Sequence, residues 1–212
     1  MDYQFLKEKH RNIRQQQEKS LSIRIHRSLS WLKKAEQETD NDAKFIFLWI
    51  CFNAAYAGDF GQQLSERGRF KDFIQKLVDR DKDKQLYDLL FKEFTGSIKE
   101  LISNKYIFEP FWKALREHDA SNQWEERLQK SVYFATKVID EKKTELLLSV
   151  VFDRLYVLRN QLIHGGATWQ SELNRVQLKD GTKMLGKLIP VILSIMIEET
   201  ELGMGDIMYP VI

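Results

Sequence analysis

The sequence contains little proline, little glycine and a single cysteine, and each scarcity narrows the possible folds. Three prolines and ten glycines interrupt 212 residues, whereas sandwiches and barrels need many turns built from these residue types. Long helices are therefore favoured over an all-β fold. Cys51 cannot form an internal disulfide or a cysteine-based zinc site. Its position inside an apolar run predicts a buried, unreactive thiol.

Long apolar segments are also missing. The longest uninterrupted run extends from Phe45 to Phe52, far shorter than the roughly 20 residues that span a bilayer. The first residues lack the apolar core of a signal peptide. We therefore expect a soluble cytoplasmic protein without membrane contact. Its 43% apolar and 30% charged residues suit a sizeable core beneath a solvated surface.

Motifs of the common enzyme classes are missing as well. The chain has no phosphate loop of the form G-x-G-x-x-G or G-x-x-x-x-G-K-[ST], no H-E-x-x-H and no G-x-S-x-G. The four histidines are too widely spaced to suggest a metal cluster. Alternating aspartates begin at Asp79 as in a calcium loop, but the twelfth position is Leu90 instead of glutamate. We therefore expect no metal and no cofactor.

Positive charge is concentrated in one part of the chain, although the net charge is only +2. Residues 1–34 contain nine Lys or Arg side chains against three acids, a local charge of +6. Such a segment attracts polyanions such as RNA, but a solvated helix face has the same composition. Both interpretations fit the sequence. Residues 1–19 are expected to form a basic helix at the periphery of the fold.

Apolar spacing predicts helices along the whole chain, and we expect one all-α domain over residues 1–212. The helix expected at 42–57 is apolar on every side, which places it at the centre of a bundle. Pro190 should kink the last helix. A loop is predicted over 58–69. The predicted helices span 3–19, 20–38, 42–57, 69–79, 83–103, 107–119, 122–142, 144–164 and 170–200.

The most informative stretch is R-N-Q-L-I-H-G-G, residues 159–166, at the end of the helix predicted over 144–164. The imidazole of His164 can move a proton near neutral pH, and the guanidinium of Arg159 matches a phosphate. Gly165 and Gly166 should stop the helix. The spacing R-x4-H alone is weak, since about one chain in five of this length has it by chance. The residue types suit phosphodiester chemistry without a metal.

This stretch, R-N-x-x-x-H at the end of an apolar helix, resembles the HEPN superfamily (higher eukaryotes and prokaryotes nucleotide-binding). The run from Phe45 to Tyr56 is similar to an earlier helix of one prokaryotic branch, and residues 159–169 are similar to its motif segment. The resemblance covers roughly residues 20–200. It implies a helical bundle with a HEPN-like up-and-down core and extra peripheral helices. It also implies a metal-independent endoribonuclease whose composite site lies in a homodimer cleft.

The resemblance also implies roles for individual residues. His164 would act as general base or acid when a ribose 2′-hydroxyl attacks the adjacent phosphate, and Arg159 would stabilise charge on the phosphate oxygens. Asn160 would orient groups or cap the backbone, and Asp153 would support the site by pairing with a cation. The expected products are a 2′,3′-cyclic phosphate and a 5′-hydroxyl. The expected partners are single-stranded RNA, a second copy of the chain and an antitoxin protein.

Helix geometry complicates this assignment, because five residues turn about 500° and leave Arg159 and His164 about 140° apart. Unwinding at the glycines or a two-fold dimer would bring them together. The spacing predicts a buried ridge on one side of this helix and a second face opposite it. The ridge is Leu147, Val151, Leu155, Leu158 and Leu162. The opposite face is Asp153, Val157, Asn160 and His164.

Two further interpretations fit the same residues. Arg159 is also explained as a cation favoured by the helix dipole, with His164 as a capping side chain. The chain would then be a non-catalytic HEPN interaction or nucleotide-binding module, or a purely structural helical protein. Cleavage of RNA in EDTA, and its dependence on His164, separates these interpretations from the ribonuclease hypothesis.

Overall fold

The computed structural model describes residues 1–56, 66–207 and 209. Every regular element in these residues is helical, which confirms the predicted all-α bundle. The α-helices are α1 (Tyr3–Ile13), α2 (Lys19–Glu36), α3 (Asn41–Tyr56), α4 (Glu66–Arg80), α5 (Gln85–Asp88), α6 (Thr95–Ser103), α7 (Glu109–Arg116), α8 (Gln123–Asp140), α9 (Thr144–Ile163) and α10 (Arg175–Glu198). A π-helical turn (Leu89–Glu93) follows α5, and a 3₁₀ turn (Lys105–Ile107) precedes α7.

The chain divides into two compact units. The first comprises Met1–Leu86 with Thr182–Ile212, and the second comprises Tyr87–Gly181. The motif of residues 159–166 belongs to the second unit, and the basic segment of residues 1–34 belongs to the first. The contacts within each unit determine which of these residues are accessible.

Several boundaries differ from the prediction. The basic helix expected over 3–19 ends at Ile13, and α2 begins only at Lys19. The helix expected over 83–103 is interrupted, because the amide of Phe94 donates to the carbonyl of Leu89 at 2.9 Å and closes a π-helical turn. The loop expected over 58–69 lies mostly outside the described residues, and α4 begins at Glu66.

The core of the first unit includes α2 and α3, which pack against each other along their length. The apolar face predicted for α2 is confirmed, since its positions are buried: Leu21, Ile25, Leu29 and Leu32. Asp40 caps α3 by accepting from the amide of Ala43 at 2.9 Å. The thiol of Cys51 is buried and donates to the carbonyl of Ser28. Burial raises the pKa of this thiol, which agrees with the predicted unreactive cysteine.

The basic segment is packed instead of forming a free arm. Leu6 and His10 of α1 are buried, at 0% and 4% exposure. Lys9 reaches α10, where its Nζ donates to Ser194 Oγ at 3.0 Å and pairs with Glu198 at 2.5 Å. α1 is therefore an integral element of the first unit, and part of its charge is already neutralised.

In the second unit α9 packs against α6 and α8. Arg154 of α9 is buried and joins the two sides: its guanidinium donates to the carbonyl of Ile102 at 3.0 Å and to Ser131 Oγ at 3.1 Å. The carbonyl of Ile107 lies 3.5 Å away, and the ring of Phe108 stacks at 4.4 Å. This set of contacts fixes the rotation of α9, and the rotation decides which motif residues face outward.

No helix in the described ranges combines the length and the apolar character needed to cross a membrane. α10, the longest at 24 residues, continues through Pro190 without a break in its helical assignment.

Candidate functional site

α9 buries one side and leaves the other open. The predicted ridge is confirmed, because its members are buried or, for the last one, half-buried: Leu147, Val151, Leu155, Leu158 and Leu162. The side facing away from the core carries Asp153, Tyr156, Asn160 and Ile163, here named the outer stripe. These four positions fall within about 80° at 100° per residue. The outer stripe is the surface on which α9 can meet a ligand or a partner.

Val157, which was predicted on the face opposite the ridge, is instead buried. Val157 is only 7% exposed, whereas Tyr156 is 43% exposed. At 100° per residue Val157 lies about 40° from Asp153 toward the core, so a small rotation of α9 buries its apolar side chain. The amphipathic tyrosine takes the outward position, where its hydroxyl can meet water.

Arg159 lies at one flank of the outer stripe and is half-buried. Its Nη1 donates to Asn160 Oδ1 at 2.9 Å, and its guanidinium carbon lies 5.8 Å from the ring centre of Tyr156. Both contacts turn the charged group toward the outer stripe and away from the core. Nε is buried and has no hydrogen-bond partner among the described residues. Part of the donor fork is therefore unused.

His164 is exposed and is the first residue beyond α9. Its amide donates to the carbonyl of Asn160 at 3.0 Å, which holds its backbone against the last turn. The imidazole thus projects from a fixed backbone position at the end of the helix. This placement meets the first requirement of a proton-transfer group, which is access to a ligand.

Of the two glycines after His164, Gly165 is the one that the end of the helix requires. It has φ of +68°, a left-handed conformation that a side chain disfavours. Gly166 has an ordinary φ, and a Cβ there would lie 3.4 Å from the carbonyl oxygen of Gln161, in van der Waals contact. The predicted helix stop is therefore confirmed.

Of the two predicted supporting residues, only Asn160 contacts a candidate catalytic side chain, since its Oδ1 accepts from Arg159. Its carbonyl accepts from the amide of His164 as part of the ordinary helix ladder. Asp153 lies at one end of the outer stripe and is exposed. The charge of Asp153 acts on the neighbouring Arg154, where it opposes the fall in pKa that burial causes.

Gln161 has a structural role that the motif did not predict. Its Nε2 donates to the carbonyl of Tyr106 at 2.5 Å, and its Oε1 accepts from Asn174 Nδ2 at 2.9 Å. The indole of Trp112 donates to the same Tyr106 carbonyl at 2.7 Å. Gln161 thus ties the end of α9 to the 3₁₀ turn and to the segment before α10. A polar residue beside the buried ridge, on the side opposite Arg159, was the signal for this role.

Comparison with family models, curated proteins and solved structures finds no match to this chain.

A functional assignment must therefore come from the residues and from the resemblance of the motif. Within the described residues, no group of three or more His, Cys, Asp or Glu side chains is placed to hold a metal ion. The accessible groups at the end of α9 are the cation of Arg159, the imidazole of His164 and the amide of Asn160. A cation and an imidazole together can bind a phosphodiester and move a proton beside it.

Aromatic side chains also lie near the motif. The rings around the 3₁₀ turn and α7 are packed together, with Tyr106 edge-on to Phe111 at 5.6 Å and Phe111 edge-on to Trp124 at 5.0 Å. This geometry favours core packing over base stacking for these rings. Trp169 and Tyr156 are open instead, at 73% and 43% exposure. They are the better candidates for stacking against a nucleobase.

Proposed function

We propose that this protein is a metal-independent endoribonuclease of the HEPN type, with Arg159 and His164 as its catalytic residues. The observation that supports it best is the placement of the two residues at the end of α9: His164 is exposed, and Asn160 Oδ1 holds the half-buried guanidinium of Arg159 beside the outer stripe. The two side chains leave an ideal helix about 140° apart, so a single copy of the chain does not bring them face to face.

The proposed chemistry is an in-line displacement within the RNA. A ribose 2′-hydroxyl loses its proton to an imidazole and attacks the adjacent phosphorus, while the bond to the 5′-oxygen breaks and that oxygen takes up a proton. Arg159 stabilises the charge that develops on the non-bridging oxygens. The products are a 2′,3′-cyclic phosphate and a 5′-hydroxyl. His164 supplies the proton transfer on one side of the reaction.

A second copy of the chain would complete the site. Tyr156 and Ile163 are each 43% exposed on the outer stripe, and burying such side chains is favourable by about 1 kcal/mol or more each. A two-fold pairing along this stripe would place the His164 of one copy near the Arg159 of the other. Two imidazoles would then be present to act as base and acid.

We place this enzyme in the cytoplasm, as a toxin or defence component restrained by an antitoxin protein. The motivation is the family resemblance of residues 159–169, which lie in an accessible position at the end of α9. A genomic neighbour whose product binds this chain and blocks RNA cleavage would support the assignment. RNA cleavage that none of the neighbouring gene products blocks would count against it.

A non-catalytic interaction module is the second candidate. The observation favouring it is the exposed aromatic pair on α8, Tyr133 at 74% and Phe134 at 47%. Open aromatic residues on a helix are typical of protein-binding surfaces. In this case Arg159 would stabilise the end of α9 and His164 would serve as its cap. Such a module would bind a partner without turning over RNA.

The decisive experiment incubates the purified chain with a labelled single-stranded RNA in EDTA. We expect cleavage, products with 2′,3′-cyclic phosphate ends, and a fall of roughly 10²-fold or more for His164→Ala. His118→Asn is the matched control: His118 is also exposed and follows a helix, with φ of 51° that asparagine tolerates. It should retain activity.

Two results would defeat the proposal: cleavage that EDTA abolishes, or cleavage that His164→Ala leaves unchanged. The composite site has its own test. Mixing Arg159→Ala with His164→Ala should restore part of the activity, because a heterodimer contains one intact pair. No recovery in mixtures that demonstrably exchange subunits would contradict a shared site.

A further inference from the structure

The segment after α10 lies as an extended strap over the first unit. The strap, residues 199–207, contains no regular helix. Leu202 anchors it and is only 2% exposed. The carbonyl of Thr200 accepts from the amide of Glu18 at 2.7 Å, and the side-chain amide of Gln17 donates to the carbonyl of Glu199 at 2.9 Å. The strap is thus fixed at its beginning to the turn between α1 and α2.

Beyond this anchor the strap is held by cations from two helices. Lys76 Nζ donates to the carbonyl of Gly203 at 2.6 Å, although it also pairs with Asp72 on its own helix at 2.7 Å. Arg24 Nη2 donates to the carbonyls of Gly205 at 3.2 Å and Asp206 at 3.0 Å. Two further cations, Arg80 and Arg27, contact the two ends of the same segment.

Arg80 Nε meets the Glu199 carboxylate at 3.2 Å, and Arg27 Nη2 donates to the carbonyl of Tyr209 at 2.5 Å. We name these four side chains the basic row: Arg24 and Arg27 of α2, and Lys76 and Arg80 of α4. Each member contacts the strap or its immediate continuation. The row therefore follows an extended chain over about ten residues.

The strap and the basic row are complementary in charge. Residues 199–209 contain the acids Glu199, Glu201 and Asp206 and no lysine or arginine. Glu201 and Asp206 are exposed, so two of the three acids add negative charge above the row without being buried by it. An acidic chain on a row of cations has the charge pattern of a nucleic-acid strand on its binding surface.

Arg24 is the least expected member of the row. It is only 1% exposed, and burial lowers the pKa of its guanidinium. The charges of Glu18 and Asp206 oppose this fall, and Nη2 donates to two strap carbonyls. Phosphates are stronger acceptors for a guanidinium than neutral carbonyls. The same donors would bind phosphate oxygens more strongly once the strap moved away.

Backbone geometry lets the strap present its carbonyls in this way. Gly203 and Gly205 both have left-handed φ, at +57° and +67°, a conformation that glycine adopts without strain. Their carbonyls are two of those that the basic row binds. The reversals allow neighbouring carbonyls to face the cations of α2 and α4.

We propose that the basic row is a binding surface for the phosphates of an RNA strand, and that the acidic strap is an internal competitor that covers it. The choice of RNA as the strand rests on the proposed function, whereas the surface itself uses residues separate from Arg159 and His164. Phosphates displace the strap carbonyls from Arg24, Arg27 and Lys76. Strap release is therefore coupled to RNA binding.

The first test measures the affinity of the His164→Ala full chain for a labelled single-stranded RNA of about 12 nucleotides. The variant Glu199→Gln/Glu201→Gln/Asp206→Asn removes the strap charge. We expect it to bind roughly fivefold more tightly at low salt. The control Glu100→Gln/Glu125→Gln/Asp140→Asn makes the same charge change at exposed positions of the second unit, and should alter the affinity less than about twofold.

Adding Arg27→Gln and Lys76→Gln to the strap variant should abolish the gain. An equal gain in the control, or a gain that survives these two substitutions, would overturn the proposal. Circular dichroism of each variant verifies that the helices are retained.

The second test uses the strap of the unaltered sequence. A glutamate-specific protease should cut after the exposed Glu201 slowly in the free protein, because the strap is bound. Inorganic polyphosphate or the RNA should speed release of the fragment that begins at Leu202, by roughly fivefold or more at saturation. Polyphosphate tests the basic row even for a chain that has no RNA activity. If neither polyanion speeds the cut, the competition is refuted, even in a chain that cleaves RNA.

Discussion

Two arginines five residues apart on α9 have opposite surroundings. Arg154 is 4% exposed and donates to the carbonyl of Ile102 and to Ser131 while stacking on Phe108. Arg159 is half-buried, and its Nη1 contacts only the side chain of the next residue, Asn160. The inner arginine is bound by groups from other elements of the second unit, whereas the outer one lies beside the accessible outer stripe. Position around the helix, not residue type, decides between these roles.

Electrostatics supports the same distinction. Burial lowers the pKa of Arg154 to about 10, with the charge of Asp153 opposing the shift. The guanidinium stays charged at neutral pH, so its hydrogen bonds to carbonyls are charge-assisted and strong. Removing it would leave the carbonyls of Ile102 and Ile107 without their donor. We therefore expect that replacing Arg154 lowers stability, whereas replacing Arg159 lowers the proposed RNA cleavage.

The largest expected effect is on stability, from Arg154→Met. Methionine fills much of the space but donates no hydrogen bond, so we expect the free energy of unfolding to fall by about 3 kcal/mol. Urea denaturation followed by circular dichroism measures it. Arg154→Lys is the control, because it keeps the charge and one donor and should lose less. A loss below about 1 kcal/mol for Arg154→Met would show that Arg154 contributes little to the stability of the fold.

The next effect concerns the glycine that ends α9. Gly165→Ala places a side chain at φ +68°, where space is open but the conformation is strained, and should cost about 1 kcal/mol. Gly186→Ala is the matched control, since Gly186 lies inside α10 with nothing within 4 Å of an added Cβ. It should stabilise the chain by about 0.5 kcal/mol or more.

Because Gly165 directly follows His164, Gly165→Ala also tests the candidate site. Strain at Gly165 should disturb the imidazole that precedes it, so RNA cleavage should fall further than the stability loss alone explains. Equal stability changes of the same sign in the two glycine variants would show that the left-handed reversal does not constrain the end of the motif.

The sequence predicted the elements of the site better than their orientation. Leucines and Val151 spaced at helical intervals were enough to place the ridge of α9 in the core, and the glycine pair was enough to end the helix. The choice between Val157 and Tyr156 on the outer stripe depends on a rotation of about 40°, which the partners of Arg154 determine. Those partners come from α6, the 3₁₀ turn and α8, which are too distant in sequence for periodicity to reveal.

The contacts of Gln161 and of the strap also join residues that are far apart in sequence, so periodicity did not predict them. Gln161 binds a carbonyl 55 residues earlier in the chain, and the basic row reaches residues 119 to 182 positions later. Composition showed that residues 1–34 are basic. Only the folded chain shows which of these charges meet the strap or its immediate continuation.

A smaller change in stability is expected at the outer arginine. Arg159→Met should alter the free energy of unfolding by no more than about 0.5 kcal/mol, because its side chain is half-exposed and its one hydrogen bond is local. RNA cleavage should nevertheless fall roughly 10²- to 10³-fold. Arg159→Lys should recover part of the activity, since a lysine keeps the charge without the planar fork. A stability loss as large as that of Arg154→Met would place both arginines in the fold.

Two histidines repeat the contrast between inner and outer side chains. His10 is 4% exposed, and its Nε2 lies 3.2 Å from Ser22 Oγ. His164 is exposed at the end of α9. Burial lowers the pKa of His10, with a hydrogen bond to Gln17 opposing the shift and the charges of His26 and Arg14 adding to it. His10 should therefore influence folding rather than RNA cleavage.

The smallest effect is the pH dependence that His10 adds to stability. Because the pKa of His10 is lower in the folded chain than its unfolded value of about 6.5, the unfolded chain binds more protons in this range. Its stabilising contribution is complete above about pH 6.5 and is lost as the pH falls toward the folded pKa. His10→Gln, which can still bond to Ser22, should therefore reduce the drop in Tm between about pH 7.5 and about pH 5.5. His118→Asn, at an exposed histidine, should leave that drop unchanged, and identical drops in all three chains would show that His10 titrates in the fold as it does in water.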